Sequence, residues 1–232
     1  MRAWLAVLLV SCHKPPAAPA PEKAAPVVVA PRPLPCPVAP RDPAEDLPIP
    51  EPNRALTAGE RALLQPIFRN AIDYDKVRVI DNSFPFQPEG VYMTPRGNVY
   101  APGSLYREDF AHSPDDRSVF VHEMGHVWQF GNGMDLIGQG IVEFTSTRGN
   151  YQDAYPYTLD DKLDLTDYGM EQQASIIEDY FIIHVLGEAP RFLKNRVTEA
   201  VRDQLYAAVL KKFLADACYL RPKATAPAAS RP

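Results

Sequence analysis

Val119-Phe120-Val121-His122-Glu123-Met124-Gly125-His126-Val127-Trp128-Gln129 decides how this chain is to be read, because it contains His-Glu-x-x-His. On an α-helix, residues i and i+4 stand one turn apart on the same face. His122 and His126 therefore aim two imidazoles at one point, and Zn²⁺ is the cofactor expected to accept both. Glu123, beside the first histidine, is expected to face the water in the metal's open position and to act as catalytic general base. The flanks support a helix. Ser113-Pro114-Asp115-Asp116 offers an N-cap, a proline at the first helical position and acidic residues in the first turn. Gly131 and Gly133 are stop signals. Val119, Phe120, Met124, Val127 and Trp128 give the helix enough apolar surface to be buried.

Two histidines leave a catalytic zinc site short of its third protein ligand. The next helical stretch runs from Glu171 to His184. At 100° per residue, Glu171 and Glu178 share a face with Ala174, Phe181, Ile182 and Val185. Carboxylates on an apolar face are unfavourable unless paired or bound to metal. Glu171 is the first candidate; Glu143, 17 residues beyond His126, is its rival, with Glu178, Asp179 and His184 behind.

Outward from these helices, the chain reads as α+β. Thr57-Ala58-Gly59-Glu60 has capping-box spacing and opens a helix to about Ala71. Val77-Arg78-Val79-Ile80 alternates as a short strand. Val91-Tyr92-Met93 and Asn98-Val99-Tyr100 flank Thr94-Pro95-Arg96-Gly97 as a hairpin, so a small antiparallel sheet is expected. Residues 134–150 have three glycines and weak periodicity. The Tyr- and Asp-rich stretch after them, with Tyr155-Pro156-Tyr157, is expected to be a loop bordering the cleft, its aromatics serving mainly as packing. Val197, Val201, Leu205, Ala208, Val209 and Phe213 recur at three and four, an amphipathic helix to about Ala217.

The N-terminal part differs in composition. Of the 25 prolines, 14 fall between Pro15 and Pro52, so residues 13–52 are expected to be an extended linker. Before them, Met1-Arg2 and eight apolar residues fit a short export signal, too short to span a bilayer. Leu9-Val10-Ser11-Cys12 resembles the bacterial lipobox, which implies a lipid on Cys12 and a domain tethered in the bacterial envelope. His13, where enteric sorting would place an Asp for inner-membrane retention, points to the outer membrane facing the periplasm. With Cys12 lipidated, Cys36 and Cys218 remain as a candidate disulfide in an oxidising compartment. The domain proper is expected over 53–220, with a disordered tail over 221–232. A net charge of −5 gives no nucleic-acid surface.

Residues 121–129, with Tyr168-Gly169-Met170-Glu171-Gln172-Gln173-Ala174, resemble the Vgr-related zincin-like proteins. These are metallopeptidase domains found alongside bacterial contractile injection and type VI secretion systems. The likeness also covers the Leu-Thr-x-Gly-Glu opening and the hairpin, and so runs from about Leu56 to Phe181. It implies a gluzincin-type site: His122, His126 and Glu171 on zinc, Glu123 as base, a peptide or protein substrate, and secretion-system components as partners. In better known gluzincins an Asp four residues after the ligand Glu orients the first histidine. Here that position is Ser175, so another acceptor is required, with Asp179 or a backbone carbonyl as candidates. Tyr168, Tyr157 and His184 are candidate donors to the transition state. Two other readings stand beside the hydrolase: a non-catalytic, zinc-stabilised binding or assembly module of a secretion apparatus, and a degenerate zincin without metal.

Overall fold

Helix α2, Pro114–Gly131, forms where the sequence signals place it. Ser113 Oγ accepts the Asp116 N–H at 3.2 Å, and Asp115 and Asp116 sit in the positive first turn. The helix stops at Asn132, whose N–H returns to the carbonyls of Trp128 and Gln129, and Gly133 turns away at φ 86°. From Phe120 to Gln129 every residue is buried, so α2 is the central element of the core. The structure, a computed structural model, describes Cys36 and residues 48–221, all in the compact unit that runs over 33–232. The stretch read as an export signal with Cys12, most of the expected linker and the residues beyond Arg221 lie outside the described residues. No described helix is long and apolar enough to cross a membrane.

With α2, the described residues form six α-helices and a three-stranded sheet. Helix α1, Ala58–Phe68, starts at a complete capping box between Thr57 and Glu60. The sheet departs from the expected antiparallel form. Strand β1, Asn53–Ala55, pairs antiparallel with β2, Arg78–Ile80, but β2 pairs parallel with β3, Val99–Tyr100. The expected hairpin is reduced to one antiparallel bridge, Met93 with Tyr100. Val79, Ile80 and Val99 are fully buried, and parallel pairing puts Val99 beside Val79.

Helix α4, Met170–Phe181, is the main partner of α2 and continues into a π-helical turn, Ile182–Leu186. Small residues mark the crossing. A Cβ placed on Gly125 would stand 3.3 Å from both Cα and Cβ of Ala174, so the two backbones approach closely. Helix α3, Leu136–Ser146, occupies the stretch whose glycines obscured its periodicity, with Asp135 capping Gly138 N–H at 3.0 Å. It buries Leu136 but leaves Ile141, Val142 and Phe144 exposed.

The C-terminal part is two helices instead of one: α5, Glu199–Val209, and α6, Lys211–Ala215. Tyr206, Val209, Leu210 and Phe213 reach the core, whereas Val197 and Val201 stay exposed. Phe213 meets Trp128 edge to face at 5.2 Å, and the Trp128 indole N–H donates to Ala217 O at 2.8 Å. Cys36 and Cys218 form a disulfide across a separation of 182 residues, and Cys36 is buried within the stretch expected to be solvated linker. Arg221, expected in the tail, is anchored by donating to Ala71 O at 2.8 Å.

Since Gly125 sets how closely α2 and α4 approach, Gly125→Val is expected to force them apart. A stability loss of about 1–3 kcal/mol in denaturant unfolding is expected; an unchanged midpoint would show that the crossing tolerates side-chain bulk.

Candidate metal centre and its cleft

The α2–α4 crossing brings His122, His126 and Glu171 together. One ligand-type atom from each lies within 4.8 Å of the others, and all three residues are buried. Glu171 Oε2 is 3.0 Å from His122 Nε2 and 3.2 Å from His126 Nε2. Its other oxygen accepts the Tyr151 hydroxyl at 2.6 Å. Burial works against the Glu171 carboxylate, but His126 and His122 more than offset it and hold its pKa well below the ordinary range. Burial opposes charge on the two imidazoles as well. The Glu171 and Glu178 carboxylates outweigh it at His122, and Glu171 outweighs it at His126, so both pKa values rise.

The groups behind the rings show whether the site suits a cation. His122 Nδ1 faces Glu178 Oε2 at 3.1 Å, and His126 Nδ1 faces Gln129 Oε1 at 2.8 Å. Both partners accept, so both Nδ1 atoms carry protons. In neutral imidazoles the two Nε2 lone pairs then point at a carboxylate oxygen that can only accept as well. A bound cation removes that conflict, and two nitrogens with one carboxylate oxygen are a donor set that Zn²⁺ takes. The residues fit the ion.

Glu123 stands next to this cluster. Its Oε2 accepts the Thr94 hydroxyl at 2.7 Å. Burial raises its pKa, against the pull of His126, His122 and Thr94. A cleft of about 240 Å³ opens here, lined among others by His122, Glu123, Tyr92, Val119, Tyr155 and Phe192. The Tyr155 ring lies 5.6 Å from that of His122 and stacks on Phe192 at 5.7 Å. Burial, with Glu171 next, pushes the Tyr155 hydroxyl pKa far up, so it stays protonated.

The other candidates fall elsewhere. Glu143 Oε1 accepts the Glu171 backbone N–H at 3.2 Å and so holds the start of α4. Glu178 backs His122. Asp179 accepts the backbone N–H groups of Arg191 at 2.6 Å and Phe192 at 2.9 Å, and the Tyr157 hydroxyl at 2.7 Å, so it does not serve as the acceptor sought for the first histidine. Ser175 is fully buried, and its hydroxyl has no partner among the described residues. The Tyr168 hydroxyl accepts the Asp160 N–H at 3.0 Å, and His184 is exposed against the Tyr180 ring; neither lines the cleft. Tyr157 is packing. Tyr155 lies in the stretch expected to border the cleft, and it does, though its aromatics were read mainly as packing. Thr94, Gln129 and Tyr151 were not singled out for these positions; Gln129 carried a signal, at i+3 from His126 on the same helix face.

No family model matches the chain. It is 33% identical over 166 residues to the type VI secretion system spike protein VgrG2b of Pseudomonas aeruginosa, which is 70% of this chain and 15% of that protein. A solved structure, the effector domain of Pseudomonas aeruginosa VgrG2b, aligns with a TM-score of 0.57 at 31% identity. The alignment covers 70% of this chain and 86% of that domain. The chain thus matches about 15% of the full spike protein but most of its effector domain.

Asp179 ties the 190s loop, which forms one wall of the cleft, to α4. Asp179→Ala removes the acceptor of two backbone N–H groups and a buried hydroxyl, and is expected to lower stability by at least about 2 kcal/mol. Asp179→Asn should lose less, and equal unfolding midpoints for all three proteins would contradict this role.

Proposed function

This chain belongs to the VgrG2b effector-domain family, and on that premise we propose that it is a zinc-dependent hydrolase, specifically a metallopeptidase. The observation that carries the proposal is the convergence of His122, His126 and Glu171 within 4.8 Å, with Glu123 buried beside them at the edge of a cleft. The three converging residues would hold the ion. Zinc held there supplies Lewis acidity toward a carbonyl oxygen and makes a water acidic enough to lose a proton near neutral pH.

The chain's own groups do the rest. Glu123 takes the proton of the attacking water and returns it to the leaving amine nitrogen. Thr94 fixes the rotamer of Glu123 through its 2.7 Å hydrogen bond, leaving the other carboxylate oxygen for this work. The protonated Tyr155 hydroxyl is our candidate donor to the developing oxyanion, in place of Tyr168 and His184. Tyr92, Val119 and Phe192 supply an apolar wall that excludes water and fits a peptide side chain.

Three protein ligands beside an open cleft suit catalysis. A purely structural zinc site is closed by a fourth protein ligand, and among the described residues the cluster has three members. This favours the hydrolase over the zinc-stabilised assembly module. The type VI secretion assignment belongs to the relative; association of this chain with secretion components is part of our proposal. So is lipidation of Cys12, which would tether the domain in the envelope.

Wild-type protein is expected to bind one zinc per chain. Glu123→Gln should keep the metal and lose about 10²–10⁴-fold in peptide hydrolysis, whereas Glu171→Gln should lose the metal itself. Full turnover by Glu123→Gln would overturn the mechanism. For the anchor, incorporation of labelled fatty acid in the native host is expected for the wild type and not for Cys12→Ala; equal labelling would place the lipid elsewhere.

A further inference from the structure

Gln129 and Gln173 are two amide side chains buried at the α2–α4 crossing, at 1% and 2% exposure. Neither lines the cleft. Both border a separate cavity of about 210 Å³, with Trp128, Asn132, Met134 and Leu220. Buried amides are unfavourable unless hydrogen-bonded. Here both amide nitrogens donate and both oxygens meet a partner, in one continuous direction.

Gln173 Nε2 donates to Tyr168 O at 2.8 Å, which leaves Gln173 Oε1 facing inward as an acceptor. Gln129 Nε2 donates to that oxygen at 3.0 Å and to Met170 O at 2.9 Å. Gln129 Oε1 then has a single orientation, toward His126 Nδ1 at 2.8 Å. Turning the Gln129 amide over would set its oxygen against two other oxygens and its NH₂ against an N–H donor. The network therefore decides the orientation of each amide.

We propose that Gln129 and Gln173 form an amide relay that positions His126. The relay keeps a proton on His126 Nδ1 and turns Nε2 toward Glu171 Oε2, 3.2 Å away. Both ends of the relay rest on main-chain carbonyls, Tyr168 and Met170, that flank the start of α4. Glu171 is the next residue after Met170. One short stretch of backbone thus sets the Glu171 carboxylate and the orientation of the second imidazole together. Gln129 and Gln173 are positioning residues, acting on the site through His126.

The choice of amides also follows from charge. His122 is backed by a carboxylate, Glu178, which Arg191 partly compensates at 3.5 Å. Glu123, Glu171 and Glu178 already put three carboxylates in or beside the buried cluster. An amide behind His126 orients the ring as a carboxylate would, without adding a fourth buried charge.

The consequence for zinc rests on the metallopeptidase reading, but the positioning itself does not. In ¹H–¹⁵N spectra of the full chain, free of metal, the His126 Nδ1–H is expected as a resonance protected from solvent exchange. Gln129→Met should abolish that protection and Gln173→Met should weaken it, with thermal unfolding monitored to confirm that each variant is folded. Where Gln129→Met does not fold, Gln173→Met carries the test. In chelator competition, Gln129→Met is expected to lower zinc affinity about 10–100-fold. Gln173→Met should lower it less and add nothing in the Gln129→Met background. An unchanged Nδ1–H resonance in folded Gln129→Met, or losses of affinity that simply add in the double variant, would overturn the relay. A wild-type protein that binds no zinc but shows the protected resonance would overturn the metallopeptidase reading and leave the relay standing.

Discussion

One carboxylate oxygen, Glu171 Oε2, lies within 3.2 Å of two imidazole nitrogens, and all three residues are buried. Removing a carboxylate and two imidazoles from water is unfavourable by several kcal/mol unless the groups compensate one another. The compensation depends on position, and position depends on the α2–α4 crossing. His122 and His126 are fixed relative to each other by one helical turn. Glu171 is on a different helix, so only the depth of the crossing at Gly125 and Ala174 brings it to them. A Cβ at Gly125 would meet Ala174 at 3.3 Å, so added bulk there presses directly on the helix that carries Glu171.

Packing alone does not hold such a cluster. Tyr151 occupies the second oxygen of Glu171, Glu143 its backbone N–H, Glu178 the far side of His122 and Gln129 the far side of His126. Each of these groups comes from a different turn or helix. Together they leave the three converging atoms little freedom to rotate away, which is the preorganisation that metal binding and acid–base work both require.

How much of this was legible depended on distance along the chain. The two histidines, the glutamate between them and the caps of α2 are local, and periodicity with capping chemistry found them. Glu171 was also reachable, because a carboxylate on an apolar helical face needs a reason. The partners behind the ligands were not. Whether Glu178 or Asp179 backs His122 turns on a 100° rotation between neighbours on α4, and helix phase read from sequence does not resolve that. Thr94, Tyr151 and Tyr155 come from loops whose conformation no periodicity encodes. The sheet was misjudged for a related reason: Asn53-Arg54-Ala55 has no β-branched residue, yet it pairs because Arg54 is held by Glu60 at 2.7 Å and by the Arg107 carbonyl. α3 was hidden by Gly138 and Gly140, which weaken a helix but do not forbid one when Asp135 caps it.

The wall of the cleft belongs to the same framework as its floor. Asp179, one residue from the carboxylate behind His122, holds the backbone of Arg191 and Phe192. Arg191 in turn reaches Ser118 at 2.8 Å and Asp115 at 2.8 Å on the first turns of α2. The loop that carries Phe192, and through stacking orients Tyr155, is thereby tied to both helices of the cluster. A change in the crossing must alter the cleft as well as the converging groups. On the proposed metallopeptidase reading, variants that loosen α2 against α4 should therefore impair substrate placement and metal retention together, because these contacts tie the cleft wall to both helices of the cluster.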